Sequence, residues 1–183
     1  MPVLEMRRRV HAMGGERLIE RAWAMPNKET FSIKPIARFI GEEISDCEMV
    51  VDPFARNSRL AHITNDLNPE CDTDHHLDAL EFLMLFDDES VDGVLFDPPY
   101  SLRQLKECYD GVGFSLSQYQ TQHFFSDIKD EISRICKTGA KVVSFGWSSL
   151  GMGATRGFSH RRILLVPHGG IHHDTICVSE VKL

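Results

Sequence analysis

The stretch VDGVLFDPPYS, Val91 to Ser101, decides how this chain reads. Val91, Val94, Leu95 and Phe96 have the composition of a short buried strand. Pro98 and Pro99 then stop the ladder, because neither has an N–H to donate. Each proline also biases the residue before it away from helical geometry, so the chain stays extended and stiff just past the strand end. What it presents there is one carboxylate (Asp97), freed backbone carbonyls and one aromatic ring (Tyr100). That is the composition of a built pocket rather than of a plain turn.

Working outward, strand-like and helix-like runs alternate. EMVVD (Glu48–Asp52) and AHITND (Ala61–Asp66) read as strands that each end in an acid. KVVSF (Lys141–Phe145), Ile163–Val166 and Thr175–Val181 read as further strands, the last two expected to pair. From Pro35, Ile36, Phe39, Ile40 and Ile44 keep helical spacing. DALEFLML (Asp78–Leu85) opens on an N-cap residue and predicts a short helix. Ser117 predicts the cap of a longer one carrying Phe124, Ile128, Ile132 and Ile135, stopped by Lys137-Thr138-Gly139. The first thirty residues read as polar and irregular, an N-terminal extension (1–30) packed on a domain of 31–183, with Gly14-Gly15 and Pro26-Asn27 as breakers. Such alternation predicts an α/β domain with a mostly parallel sheet, whose ligands sit beyond the carboxyl ends of the strands. Asp52, Asp66 and Asp97 all fall at such ends.

The 183 residues, 42% hydrophobic, suit one domain with an ample core. The formal charge of −7 restricts nucleic-acid contact to a local basic patch. Two candidates exist: Arg7, Arg8 and Arg9 with Arg17 and Arg21, and Arg156 with Arg161 and Arg162. Five scattered cysteines without CxxC spacing suggest reduced thiols and a cytoplasmic setting. No signal peptide, membrane span, repeat or low-complexity segment is expected.

Four segments, in order, resemble the S-adenosylmethionine-dependent amino-methyltransferases that methylate an exocyclic amine of adenine or cytosine in DNA. Phe31-Ser-Ile-Lys34-Pro35 resembles the motif before the first strand of that family. Val51-Asp52-Pro53-Phe54 resembles its first cofactor motif, and His76–Leu83 the segment whose acid reaches the cofactor's adenine. Asp97-Pro98-Pro99-Tyr100 matches its catalytic motif. The resemblance spans about residues 31–100. It implies a single Rossmann-like class I domain whose seven-stranded, mostly parallel sheet ends in an antiparallel strand. It implies S-adenosyl-L-methionine as cofactor and DNA as partner, and a compact enzyme of the phage or restriction-modification kind. Phe31 is expected as an apolar wall, with Lys34 in the same segment. Asp52, Pro53 and Phe54 are expected near the methionine end, Asp66 on the ribose hydroxyls, and Asp78 and Ala79 on the adenine.

The chemistry explains the double proline. An exocyclic amine is a poor nucleophile, because its lone pair is delocalised into the ring. A site that accepts both amine hydrogens, one on Asp97 and one on the Pro98 carbonyl, localises that pair. Tyr100 stacks on the base, a contact worth roughly 1–3 kcal/mol. Pro98 and Pro99 together fix the geometry in advance. A base inside a duplex must be flipped out to enter. No metal is required.

Two departures from the family pattern stand out. Glycines usually follow DPF, whereas this chain has Ala55-Arg56-Asn57-Ser58, with Asn57 expected to supply the turn. Ser101 to Tyr119 is too short for a target-recognition region, which leaves Arg103, Lys106, the N-terminal arginines, a protein partner or a homo-oligomer. The sequence leaves open adenine or cytosine, DNA or RNA, and a catalytically degenerate module that only binds nucleic acid or protein. Taken alone, Asp52 or Asp66 reads as readily as a helix cap, and Phe31 as core. Cys71-x3-His75-His76 and His172-His173-Asp174 lack structural-zinc spacing. Trp147 and Gly151-x-Gly153 suggest a mobile loop beside the pocket, and Trp23–Asn27 a cover over the cofactor, a substrate entrance or core.

Overall fold

Val91–Phe96 forms the strand expected of it, buried along its length except at Asp92. The structure is a computed structural model that describes residues 6–12 and 15–183. In chain order the elements are β1 (Met6–Ala12), β2 (Gly15–Arg21), α1 (Lys34–Ile44), β3 (Val50–Asp52), β4 (Ile63–Thr64), α2 (Ala79–Leu83), β5 (Val91–Phe96), α3 (Leu102–Gly111), α4 (Gln118–Ile135), β6 (Cys136–Gly146), β7 (Phe158–Val166) and β8 (Thr175–Lys182). Short 3₁₀ turns lie at Thr30–Ser32 and Ala154–Arg156.

The strands form one sheet in the order β1-β2-β7-β8-β6-β5-β3-β4. β4, β3, β5 and β6 run parallel, and β7 and β2 run the same way. β8 is antiparallel to both neighbours, as the resemblance implied for the last strand. Hence the chain leaves β2, β3, β4, β5, β6 and β7 along one edge of the sheet.

Both faces of the sheet are covered, and alternate residues feed opposite cores. Val51, Val94, Phe96 and Val142 pack under α2, α3 and α4. Val50, Leu95, Val143, Phe145 and Leu164 pack under α1. The predicted helical stripes are buried: Ile36, Phe39 and Ile40 on α1, and Phe124, Ile128, Ile132 and Ile135 on α4. Ile44, also in the predicted stripe, is partly buried against the α1 core. Ser117 caps α4 in a reciprocal capping box with Gln120.

The sheet has eight strands rather than seven, because residues 6–12 and 15–21, within the stretch expected to be irregular, are strands. They form the β1–β2 hairpin, which extends the sheet alongside β7. Its strands lie at the sheet's end, where a backbone ladder forms without strict apolar alternation, and arginines there discourage further pairing. Arg8, Arg9 and Arg21 are exposed, whereas the side chains of Arg7 and Arg17 and the turn at 13–14 lie outside the described residues. A second correction concerns Lys137-Thr138-Gly139. Helix α4 already ends at Ile135, and these residues form an irregular start to β6, across which the register with β5 shifts.

Each arginine of the Arg156, Arg161 and Arg162 cluster meets a carboxylate of this chain, and Arg162 is the most buried of them. Arg162 reaches Glu43 of α1 (2.6 Å), Glu20 of β2 (2.5 Å) and Glu42 (2.8 Å). Arg161 lies 3.5 Å from Glu43, and Arg156 pairs with Asp130 at 2.6 Å. Ser179 of β8 donates to Glu43 at 2.6 Å, so one buried glutamate ties α1 to two strands.

Candidate active site

Beyond the carboxyl ends of β3, β4 and β5 lies a cavity of about 640 Å³, within the usual range of small-molecule sites. Asp97, Pro98, Pro99 and Tyr100 line it together with Pro53, Phe54, Asp66 and Ala79. Eight of the residues singled out from sequence therefore meet around one space.

Asp97 sits where β5 ends. Burial pushes its carboxyl up to about 6, against hydrogen bonds from Tyr100 and Thr30 and the charge of Arg56. The Tyr100 hydroxyl donates to Asp97 Oδ1 at 2.6 Å, and the Tyr100 N–H donates to Gln104 at 2.7 Å. Burial and the neighbouring carboxylate both push the phenol up. The Tyr100 ring meets Trp147 edge-on at 5.7 Å, and Trp147 in turn lies 4.3 Å from His173.

Asp66, after β4, accepts from the backbone N–H of Arg56 (3.0 Å) and of Asn68 (2.9 Å). The intervening turn is closed by Ser58 N–H to Ala55 O at 2.8 Å. Its left-handed residue is Arg56, with φ of 52°, not Asn57 as the sequence suggested. Asn57 instead accepts from the Asp72 N–H at 3.1 Å. The Arg56 guanidinium lies at the cavity edge, 3.1 Å from Lys28 O and 3.5 Å from Glu29. Beside Asp66, burial pushes the Cys71 thiol up to about 11.

Four predicted residues do not line this cavity. Asp52 is fully buried beneath it, with Oδ1 on the Phe54 N–H (3.0 Å) and Oδ2 without a hydrogen-bond partner. Burial holds its carboxyl well above the usual range, and the charges of Asp97 and Asp66 add to this. Asp78 caps α2, accepting from Leu80 N–H at 2.9 Å, and takes the Tyr109 hydroxyl at 2.5 Å. Phe31 packs on Phe145 at 4.8 Å. Lys34 lines a separate cavity.

The unpredicted wall is α3, which brings Gln104, Glu107, Cys108 and Tyr109 to the cavity. Its signal was available: Ser101 is an N-cap residue with Gln104 three places on, and Leu105 and Tyr109 share a face. The loop after β6 is pinned rather than free. Buried Glu180 accepts from Met152 N–H and from Gly153 N–H (3.2 Å). Gly151 has φ of 54°, and a Cβ there would run into the Glu180 carboxylate. Among the described residues, no group of three or more His, Cys, Asp or Glu side chains is placed to hold a metal.

The sequence matches no protein-family model and no curated protein. Solved structures do resemble it. TrmN from Thermus thermophilus superposes with a TM-score of 0.55 at 17% identity, over 82% of this chain and 49% of that one. This chain therefore spans about half of TrmN. The Burkholderia thailandensis 1,6-didemethyltoxoflavin-N1-methyltransferase, bound to its substrate and S-adenosylhomocysteine, gives 0.55 at 12% identity, over 81% and 77%. The N-methyltransferase NodS from Bradyrhizobium japonicum WM9, in complex with S-adenosylhomocysteine, gives 0.53 at 9% identity, over 85% and 88%. Likeness at such low identity speaks for architecture, and this chain carries the Rossmann-like methyltransferase fold.

Proposed function

We propose that this protein transfers a methyl group from S-adenosylmethionine to the exocyclic amine of a nucleobase, with adenine N6 in DNA as the leading substrate. The observation that carries the reading is that Asp97-Pro98-Pro99-Tyr100 and Asp66 line one cavity at the carboxyl edge of the sheet. The donor set suits the cofactor. Asp66 is the acid after the second strand of the parallel set, where such sheets bind ribose hydroxyls. Its two oxygens take the backbone N–H groups of Arg56 and Asn68 and the Cys71 thiol, which leaves a lone pair for a ribose hydroxyl. Pro53 and Phe54 border the same space, and Ala79 opens α2 there.

When bound, S-adenosylmethionine supplies an electrophilic methyl group on a sulfonium. The chain supplies the rest. Asp97 accepts one amine hydrogen and the Pro98 carbonyl accepts the other, which returns the lone pair to nitrogen and leaves the Asp97 carboxylate placed to take the surplus proton of the methylated amine. Tyr100 and Thr30 orient the Asp97 carboxylate, and the prolines hold the carbonyl in place before substrate arrives.

Transfer of a labelled methyl group to unmethylated DNA, followed by nucleoside mass analysis, tests this directly. Asp97→Ala is expected to lower transfer by at least about 10²-fold while cofactor binding stays within a factor of two or three. Equal loss of both would make Asp97 structural. A second reading, a module that has kept the fold without its reaction, is favoured by Arg56 at the turn where the family has glycine. S-adenosylhomocysteine at millimolar concentration separates the two, because a bound ligand raises the melting temperature and a closed site leaves it unchanged.

A further inference from the structure

A second cavity, of about 600 Å³, lies along the same sheet edge, after β2. Trp23 and Met25 are exposed at 47% and 64% on its wall. Lys34 and Arg38 of α1 supply its charge, and Arg38 is also 3.7 Å from Glu42 in a solvent-exposed pair. Among the described residues no carboxylate lines the cavity, in a chain with 27 Asp and Glu. The contrast with the first cavity, which Asp66, Asp97 and Glu107 line, is sharp.

The two cavities share a wall. Thr30 borders the first, and Ser32 and Ile33 border the second. Between them the 3₁₀ turn is braced by Asn27 Nδ2 to Ser32 Oγ (2.8 Å), Ser32 Oγ to Glu29 O (2.8 Å) and Glu29 N–H to Asn27 Oδ1 (3.1 Å). The Trp23 segment is equally fixed. The N–H groups of Ala22 and Ala24 donate to Leu165 O (3.0 Å) and Pro167 O (3.3 Å). Buried His168 joins Ala24 O (2.8 Å) to Thr175 Oγ1 (2.9 Å) through its two ring nitrogens.

An exposed aromatic side chain on a hydrogen-bonded backbone, beside two cations, is what a nucleotide needs: a surface for the base and a counter-charge for the phosphate. We propose that this second cavity binds a nucleotide of the same strand that presents its target base to Asp97, with the neighbouring base on Trp23 and its phosphate between Lys34 and Arg38. The assignment rests on the nucleobase reading above. It accounts for recognition by a chain whose arginine cluster on β7 is committed to internal carboxylates.

The test measures binding and methylation of a single-stranded DNA oligonucleotide carrying one adenine, on the order of ten nucleotides, a length that fills a typical single-strand site. Trp23→Ala is expected to weaken binding and raise KM about tenfold with kcat at saturation unchanged, and Trp23→Phe to restore most of the loss. Lys34→Gln is expected to lower the slope of log Kd against log salt by about 0.7. In Trp147→Phe, which leaves Trp23 as the sole tryptophan, the oligonucleotide is expected to quench the remaining fluorescence. Methylation by the wild type with unchanged affinity and salt slope in Trp23→Ala and Lys34→Gln would overturn this assignment and leave the proposed reaction standing. A wild type that binds S-adenosylhomocysteine yet methylates neither DNA nor RNA would overturn both.

Discussion

Two regions of this sheet treat their acids in opposite ways. Around β2, β7 and α1, Glu43 is fully buried and Glu20 nearly so, and Arg162 meets both within 2.6 Å. Around the ends of β3 and β5, Asp52 is buried without a cation and Asp97 has only the distant charge of Arg56. The first arrangement completes a charge balance that the fold itself requires. The second leaves carboxyls shifted upward, the signature of groups arranged for binding or chemistry rather than for stability. Between these two regions, one cation, present or absent, makes the difference.

Removing that cation is the most damaging way to break the contrast. Arg162→Ala takes from Glu43 and Glu20 the cation they share, leaving Glu43 with Ser179 and the more distant Arg161, and loss of one member of a buried ion pair costs about 3–5 kcal/mol. The Arg162 guanidinium also lies over the Phe39 ring at 4.8 Å, so packing is lost with charge. Urea unfolding is expected to show that loss, while the protein that remains folded binds S-adenosylhomocysteine normally. A loss below about 1 kcal/mol would place the cluster with ordinary surface pairs.

Asp66 sharpens the other side. It faces the cavity with both oxygens on backbone N–H groups, so it shapes the Arg56 turn and offers lone pairs to a ligand at once. Asp66→Ala is expected to raise the Kd for S-adenosylhomocysteine about tenfold, the equivalent of one charge-assisted hydrogen bond of about 1.4 kcal/mol. Calorimetric titration measures this. An unchanged Kd would leave Asp66 as a turn residue alone.

Sequence revealed the centre of the sheet and the acids at its edge because both write periodic or composition signals. Val94 and Leu95 feed opposite cores, and a strand buried on both faces is a plain apolar run. The β1–β2 hairpin wrote no such signal, since its stability comes from backbone pairing at the sheet's end and its residues are largely charged. Helix α3 is amphipathic and its cap is visible at Ser101, yet Ser101–Tyr119 stands in the sequence reading only as a segment too short for a target-recognition region, with no helix predicted ahead of Ser117. Nor does spacing distinguish Asp78, which turned to its own helix and to Tyr109, from Asp66, which faced the cavity. Both are acids just past a strand or just before a helix. Only the packing of α3 against α2 decides which one is covered.

The smallest expected effect tests the uncompensated state of Asp97 itself. Its carboxyl stands at about 6 in the folded chain, against about 3.9 for an unperturbed Asp. Folding therefore favours the neutral form. The stability this gives is fully present below pH about 4 and is lost as pH rises through about 6. Asparagine is neutral throughout, so Asp97→Asn is expected to match the wild type at pH 4 and to exceed it above pH 7. A two-unit shift corresponds to about 3 kcal/mol, which water at the open cavity reduces to about 1 kcal/mol. Melting curves at pH 4 and pH 8 measure the difference. The same ionisation governs the reaction, since only the carboxylate accepts an amine hydrogen at full strength. Methyl transfer by the wild type is therefore expected to rise with pH through about 6, where the stability advantage of Asp97→Asn opens. A stability difference that does not vary with pH would show that Asp97 is compensated after all, and would place it with Glu43 rather than with Asp52.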